Sequence, residues 1–428
     1  MRHVFLSFLG LGLPHKGGYE PTQYVLGNKK SKCTSFVQAA EIEILGANNF
    51  DSIIIVATQK SHDLHFLELS KALEELGAKE ISPIIISEEM TAQAQWEWFE
   101  KILPCIESGD ELTVDLTHGY RAIPIVFSTA INFLQKAKNI RLKGAYYAAF
   151  EKNRDLVPIV DMRDFYIVNE WAEAVSRLVE DADARKMAQV AERAPDFQCA
   201  VLNSKDTIKA LQELTATVRN VDVNNISSRA TAALRLLRQG EAQATVTERI
   251  LVSLLLEKFA ILASESPASN KYDADYFRLQ AEIVRLLLEH QLYMQAYTVM
   301  RELIASIGMI PINPANMASS DGRKQRRYGD LFFRMLQYPE EEWRFKCDEY
   351  EMINSKLRDF YEELKKKQVE PLLRGFVKEL AEYRNGFDHA WTLKQSAKDD
   401  IEEKGRFFLD RLEQAIRILF PFEETLPY

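Results

Sequence analysis

Residues that handle protons and phosphates stand close together in the run Glu382-Tyr383-Arg384-Asn385-Gly386-Phe387-Asp388-His389. Histidine titrates near neutrality, so His389 can give or take a proton at ordinary pH. Arginine presents a flat, two-pronged donor, so Arg384 can grip phosphate oxygens. On a helix, Asn385 and His389 are four apart and share a face, which lets the amide orient the imidazole. Arg384 and His389 are five apart, which separates them by about 140° around the axis. One copy of the run is then an incomplete site, and two copies across a twofold axis could make one composite site. The spacing also has a plainer use: Arg384 and Asp388 form a surface ion pair while His389 only caps or packs.

A second set lies earlier in the chain. Asp115-Leu116-Thr117-His118-Gly119-Tyr120-Arg121 precedes a helical stretch with Pro124 near its start. Thr117 offers a hydroxyl and Gly119 a tight turn. His118 and Arg121 bring donors and charge to a helix N-terminus, which itself favours anions. Gly10-Leu11-Gly12 follows the first apolar run; its glycines let backbone N–H groups approach a phosphate, or simply make a turn. Thr58-Gln59-Lys60 follows the second run and either completes the same rim or caps a helix. Arg323, Lys324, Arg326 and Arg327 lie within five residues. They read as an RNA contact or as a solvated basic loop.

The elements that must position these groups follow from periodicity. Short apolar runs predict strands over 3–9, 52–57, 81–86, 111–117 and 141–149. Helical spacing fills 34–47, 63–77, 92–107 and 123–138 between them. Strand–helix alternation implies an α/β, Rossmann-like domain: a parallel sheet with helices on both faces and a ligand site beyond the strands' carboxyl ends. The three loops above then share one rim. Residues 19–33 read as a β-hairpin insertion, with Gly27-Asn28 as its turn. From Phe165 to Leu419 the spacing is helical. Its clearest loop is 311–322, a long charged helix covers 346–367, Pro371 restarts the next, and the last covers 399–419. The expected organisation is an α/β domain followed by an all-α domain.

Composition narrows the function. At 428 residues the chain calls for two or three domains, and 46% hydrophobic with 27% charged residues is ordinary globular usage. No apolar run approaches the ~20 residues of a membrane helix, and the opening run reads as a buried strand rather than a signal peptide. Cys33, Cys105, Cys199 and Cys347 are far apart, so neither a zinc ribbon nor a disulfide scaffold is expected, and a reducing cytoplasm fits. No metal and no cofactor is called for. A net charge of −9 argues against broad affinity for long nucleic acid, so any RNA contact must be local.

The segment 115–121 with Ala122-Ile123-Pro124, then Gly144-Ala145-Tyr146-Tyr147, then Asn169-Glu170-Trp171-Ala172-Glu173-Ala174 resembles the CARF domain, the CRISPR-associated Rossmann fold. The likeness covers roughly the first 190 residues, which implies a CARF-like α/β domain over 1–190 and an all-α domain over 191–428. Arg384, four intervening residues and His389, with Asn385 second, is similar to the HEPN ribonuclease motif. Together the resemblances imply a homodimeric endoribonuclease of CRISPR antiviral defence. A cyclic oligoadenylate would bind Gly10, Leu11, Gly12, Thr58, Gln59, Lys60, Thr117, His118, Gly119 and Arg121, and single-stranded RNA would be cut by Arg384, Asn385 and His389. RNA carries its own nucleophile, the 2′-OH, so no metal is required and the products carry 2′,3′-cyclic phosphate and 5′-hydroxyl ends. A twofold cleft suits an even-membered ring, with cyclic tetra-adenylate preferred. Two other readings stand beside this one: a ring nuclease that degrades the activator in its first half, and a non-catalytic CARF-containing regulator.

Overall fold

The computed structural model describes residues 1–12, 18–118, 123–149, 156–263, 271–314, 317, 319–392 and 400–421; the side chains of 123–125 are left aside. It divides into two compact units, Met1–Glu170 and Trp171–Tyr428. The division falls inside one helix, near the change of periodicity at Phe165, whereas the resemblance carried the first domain to about 190.

Among the described residues unit 1 has eight strands: β1 (His3–Leu9), β2 (Gln23–Leu26), β3 (Lys29–Lys30), β4 (Ser52–Thr58), β5 (Ile81–Ile86), β6 (Glu111–Asp115), β7 (Arg141–Ala148) and β8 (Leu156–Asp161). Their order is β3-β2-β8-β7-β6-β1-β4-β5. The run β5-β4-β1-β6-β7 is parallel. Helices α1 (Val37–Leu45), α2 (Leu67–Glu75), α3 (Ala92–Ile102) and α4 (Ile123–Ala137) cover its faces.

Strand side chains alternate between faces, and both faces here are apolar. Val4, Leu6 and Phe8 pack with Trp98, Ile131 and Leu134 on one side. Phe5 and Leu9 pack with Ile42, Leu69 and Leu73 on the other. Truncating a fully buried member such as Leu6 to Ala removes about 2–5 kcal/mol of stability.

Beyond the expected parallel strands, the sheet is mixed at one edge. β8 runs antiparallel to β7, and β2, which pairs parallel with β8, forms the hairpin with β3. Strands joined by a short connection pair antiparallel, and β8 follows β7 closely in sequence. Pro158 inside Leu156–Asp161 weakens its strand signal. The hairpin insertion is present, with Val25 opposite Lys30 around the Gly27-Asn28 turn.

α5 (Arg163–Asp181) runs across the division. Among the described residues of unit 2 there is no strand. Its principal helices here are α6 (Val246–Phe259), α7 (Ala274–Glu289), α8 (Tyr293–Ile307), α9 (Arg327–Gln337), α10 (Val369–Asp388) and α11 (Ile401–Leu419). The expected helix over 346–367 is continuous but bulged, with a π turn at Ile353–Leu357. α10 starts after left-handed Gln368 (φ 62°), with Pro371 in its first turn. Aromatic rings fill the core: Tyr297 lies 5.4 Å from Tyr383, and Phe376 stacks on Phe408 at 5.4 Å. The Tyr297 hydroxyl donates to the Ile401 carbonyl at 2.7 Å.

Candidate functional site

The rim at the carboxyl ends of β1, β4 and β6 gathers most of the expected binding residues. Gly12 has φ +66°, and a Cβ there would stand 2.6 Å from the Gly18 carbonyl carbon, so the turn after β1 requires glycine. His65 Nε2 lies 3.3 Å from the Leu11 carbonyl oxygen and fixes the turn from below. The Tyr19 ring packs against His118 (4.9 Å), His65 (5.2 Å) and Phe36 (5.4 Å). Burial pushes its phenol pKa up, against the opposing pull of the Gly10 and Gly12 backbone N–H groups.

Asp115 ends β6 fully buried. It accepts from the Ser7 hydroxyl at 2.6 Å and from the Thr117 backbone N–H at 2.8 Å. Thr117 Oγ1 accepts from the Ala148 N–H at 2.8 Å, which leaves its hydroxyl hydrogen to donate elsewhere. Burial lowers the pKa of His118 more than Asp115 raises it, so at pH 7 His118 is a neutral donor and acceptor rather than a cation. Gly119 and Arg121 lie outside the described residues.

At the end of β4, Thr58 is buried and caps the short helix Gln59–Ser61. Its side chain accepts from the Ser61 N–H at 3.2 Å, and the Ser61 hydroxyl accepts from the Thr58 N–H at 3.0 Å. Gln59 donates to Asp63 at 2.7 Å, and Lys60 is exposed. Two of these three rim residues are therefore engaged locally.

Three neighbours were not among the binding residues expected from the sequence. Glu41, on α1, is fully buried, and neither of its carboxyl oxygens has a partner among the described residues. Desolvation, then the charge of Asp115, raises its pKa well above the carboxylate range, so it holds its proton. Tyr24 and Tyr146 are also buried, which pushes each phenol up to about 12. The signal was present in sequence: Val37, Glu41 and Ile44 fall on one helical stripe, which put a carboxyl on an apolar face. On the other face of the sheet, Leu116, Tyr147, Met162, Phe165, Tyr166 and Asn169 line a cavity of about 390 Å³. Tyr147 is 45% and Phe165 68% exposed there, so two flat rings face solvent.

In unit 2, α10 carries Arg384 and Asn385 and ends at Asp388, with His389 as its exposed C-cap. Arg384 Nη1 pairs with Asp388 Oδ2 at 2.6 Å, while Arg384 Nε is buried without a partner among the described residues. The structure thus joins Arg384 to Asp388 rather than to His389, and Asn385 is exposed. Ala390 and Trp391 both have positive φ, 47° and 55°. Their N–H groups donate back to Phe387 at 3.2 Å and Gly386 at 2.8 Å, closing a Schellman turn. A left-handed alanine costs about 1–2 kcal/mol, so packing must hold the turn. Trp391 supplies it, lying 5.4 Å from Phe387 and 6.3 Å from Tyr383.

The basic segment is not a loop. Arg323 and Lys324 are exposed on the helix Ser320–Gln325, and Arg327 pairs with Asp348 at 2.7 Å. Arg326 does not suit an RNA contact: its donors go to Glu302 Oε2 (2.7 Å), the Glu302 carbonyl (2.9 Å) and Ser306 Oγ (3.0 Å).

Over 105 residues the chain is 30% identical to the CRISPR-associated protein MJ1674 of Methanocaldococcus jannaschii. Over that stretch the chain is similar to a CRISPR-associated protein. The matched stretch is 21% of this chain and spans 17% of that relative's length. Among solved structures, Enterococcus italicus Csm6 bound to cyclic hexa-2′-fluoro-hexa-dAMP aligns over 99% of this chain and 95% of its own. The identity there is 11% and the TM-score 0.45. No family model matches the chain. Unit 1 holds the rim and the aromatic cavity. No helix among the described residues is long and apolar enough to cross a membrane.

Proposed function

We propose that the CARF-like unit binds a cyclic oligoadenylate and that the helical unit, in response, cuts single-stranded RNA as a homodimer in the cytoplasm. The observation that carries this reading is the end of α10. A histidine stands exposed on a held turn, one helical turn beyond Asn385 and beside an arginine with an unspent donor.

The chemistry follows from those groups. RNA brings its own 2′-OH nucleophile, so the protein has to align it, move protons and stabilise the charged pentavalent state. His389 moves the proton, Asn385 orients its ring, and Arg384 turns from Asp388 to the phosphate. Because Arg384 and His389 face different ways, the working site is composite and needs a second copy across a twofold axis.

On the sensing side, Thr117, neutral His118 and the 10–12 turn supply hydrogen bonds to phosphates or adenine edges. The exposed rings of Tyr147 and Phe165 offer stacking surfaces for bases, each stack worth about 1–3 kcal/mol. Cyclic tetra-adenylate is the preferred ring, since an even-membered ring matches a twofold cleft. Incubating the protein with RNA in EDTA, with and without cyclic oligoadenylates, tests the proposal when the activator is followed as well. Cleavage only with activator supports it. Activator loss without RNA cleavage indicates a ring nuclease, and binding without either reaction indicates a regulator.

A further inference from the structure

α6 is apolar on two opposite sides. Leu251, Val252, Leu255 and Phe259 are buried against unit 2. On the opposite face Val246 is 69%, Ile250 61% and Leu254 44% exposed, and Ile261, just past the helix end, is 54% exposed. Residues three, four and seven apart share a helix face, so these four form one stripe. It runs for about 22 Å at 1.5 Å per residue. Single exposed apolar residues are normal, whereas a contiguous apolar stripe marks a surface that another molecule covers.

The polar residues within the stripe identify that molecule. Ser253 sits at its middle, with Arg249 four residues before and Glu257 four residues after. All three are exposed, and neither charge makes an ion pair among the described residues. Laid antiparallel on itself about Ser253, the helix sets Arg249 against Glu257 of the other copy, twice. Val246 then faces the Ile261 end, and the small serine at the crossing lets the axes approach closely. The face carries one charge of each sign, so it is complementary to itself. A membrane-surface helix would instead carry an excess of Lys and Arg on its polar face.

We propose that a second copy of this chain docks on this face, with α6 packed antiparallel against its own counterpart about a twofold axis through Ser253. The contact needs neither activator nor RNA and stands independently of the catalytic reading.

Sedimentation equilibrium of the full chain, without nucleotide, tests it. Arg249→Glu alone, or Glu257→Arg alone, sets like charges together at both ends and raises the dimer dissociation constant by roughly tenfold or more. The combined Arg249→Glu, Glu257→Arg protein regains the original value. Ser253→Cys in a Cys33→Ser, Cys347→Ser background forms a disulfide-linked dimer under mild oxidation. A dimer unaffected by the single reversals, a swap that fails to restore it, or a chain monomeric throughout would overturn the assignment. RNA cleavage by the same proteins is a separate readout, so loss of that activity does not bear on the contact.

Discussion

The indole of Trp391 lies directly over Gly386, where a Cβ would come within 2.4 Å of the ring. Gly386 lies on α10 between Asn385 and His389, and Trp391 belongs to the left-handed turn that follows His389. The two residues clamp the end of the helix onto itself and fix where His389 projects. Gly386→Ala should therefore expel the indole and move the imidazole, lowering kcat about tenfold to a hundredfold, the scale of a small misplacement of a catalytic group. Trp391→Ala, which leaves two left-handed residues unsupported, should do the same. Single-turnover cleavage with saturating activator measures both; wild-type rates would separate this turn from the chemistry.

His389→Ala should abolish RNA cleavage, and Arg384→Ala should reduce it nearly as far, while both bind activator normally. Asp388→Asn should retain activity, because it only frees Arg384 from the ion pair seen on α10. The checks are cleavage rate and calorimetric titration of the activator. Near wild-type turnover by His389→Ala would remove the motif from the site.

Glu41 gives a pH-dependent stability with a definite sign. Its ordinary pKa is 4.5, and in the folded chain it lies well above that. As pH rises past 4.5, the unfolded chain releases a proton that the folded chain keeps, so the folded state loses stability until the folded pKa is passed. Glu41→Gln removes this loss. Its melting temperature should match wild type near pH 4 and exceed it by a few degrees near pH 8. Thermal unfolding across that range decides the matter, and a difference that stays constant with pH would contradict the assignment.

The basic segment divides into two kinds of residue. Neutralising exposed Arg323 and Lys324 should weaken RNA binding and flatten its salt dependence while leaving the melting temperature unchanged. Arg326→Ala strips Glu302 and Ser306 of their partner and should cost about 1–3 kcal/mol of stability. Salt-dependent binding and denaturant unfolding together distinguish them; an equal effect of both on stability would erase the division.

Much of this was legible in the chain. The continuous apolar run Ser52-Ile53-Ile54-Ile55-Val56-Ala57 reads as a buried parallel strand because both its faces are covered. The Gly27-Asn28 turn announced its hairpin. β8 was hidden because Pro158 interrupts it and its pairing with β2 joins residues far apart in sequence. At the site, the spacing of Arg384 and Asp388 foretold their ion pair. Nothing local placed Trp391 over Gly386 or sent Arg326 to Glu302, because both contacts depend on how the chain folds back. Glu41 was visible as a carboxyl on an apolar stripe, but its closeness to Asp115 comes from the sheet.

The central claim is that one unit's ligand switches on the other unit's chemistry. Binding can do this only if the ligand prefers one arrangement of the sensing units over another. The direct measurement is a titration of cyclic tri-, tetra- and hexa-adenylate against the initial rate of RNA cleavage in EDTA, for wild type and Arg121→Ala. The account predicts negligible cleavage without activator and activation by an even-membered ring, most strongly cyclic tetra-adenylate. It also predicts a higher activation midpoint but the same maximal rate for Arg121→Ala. RNA cleavage at the same rate with and without every ring, or activation by the three-membered ring alone, would contradict it.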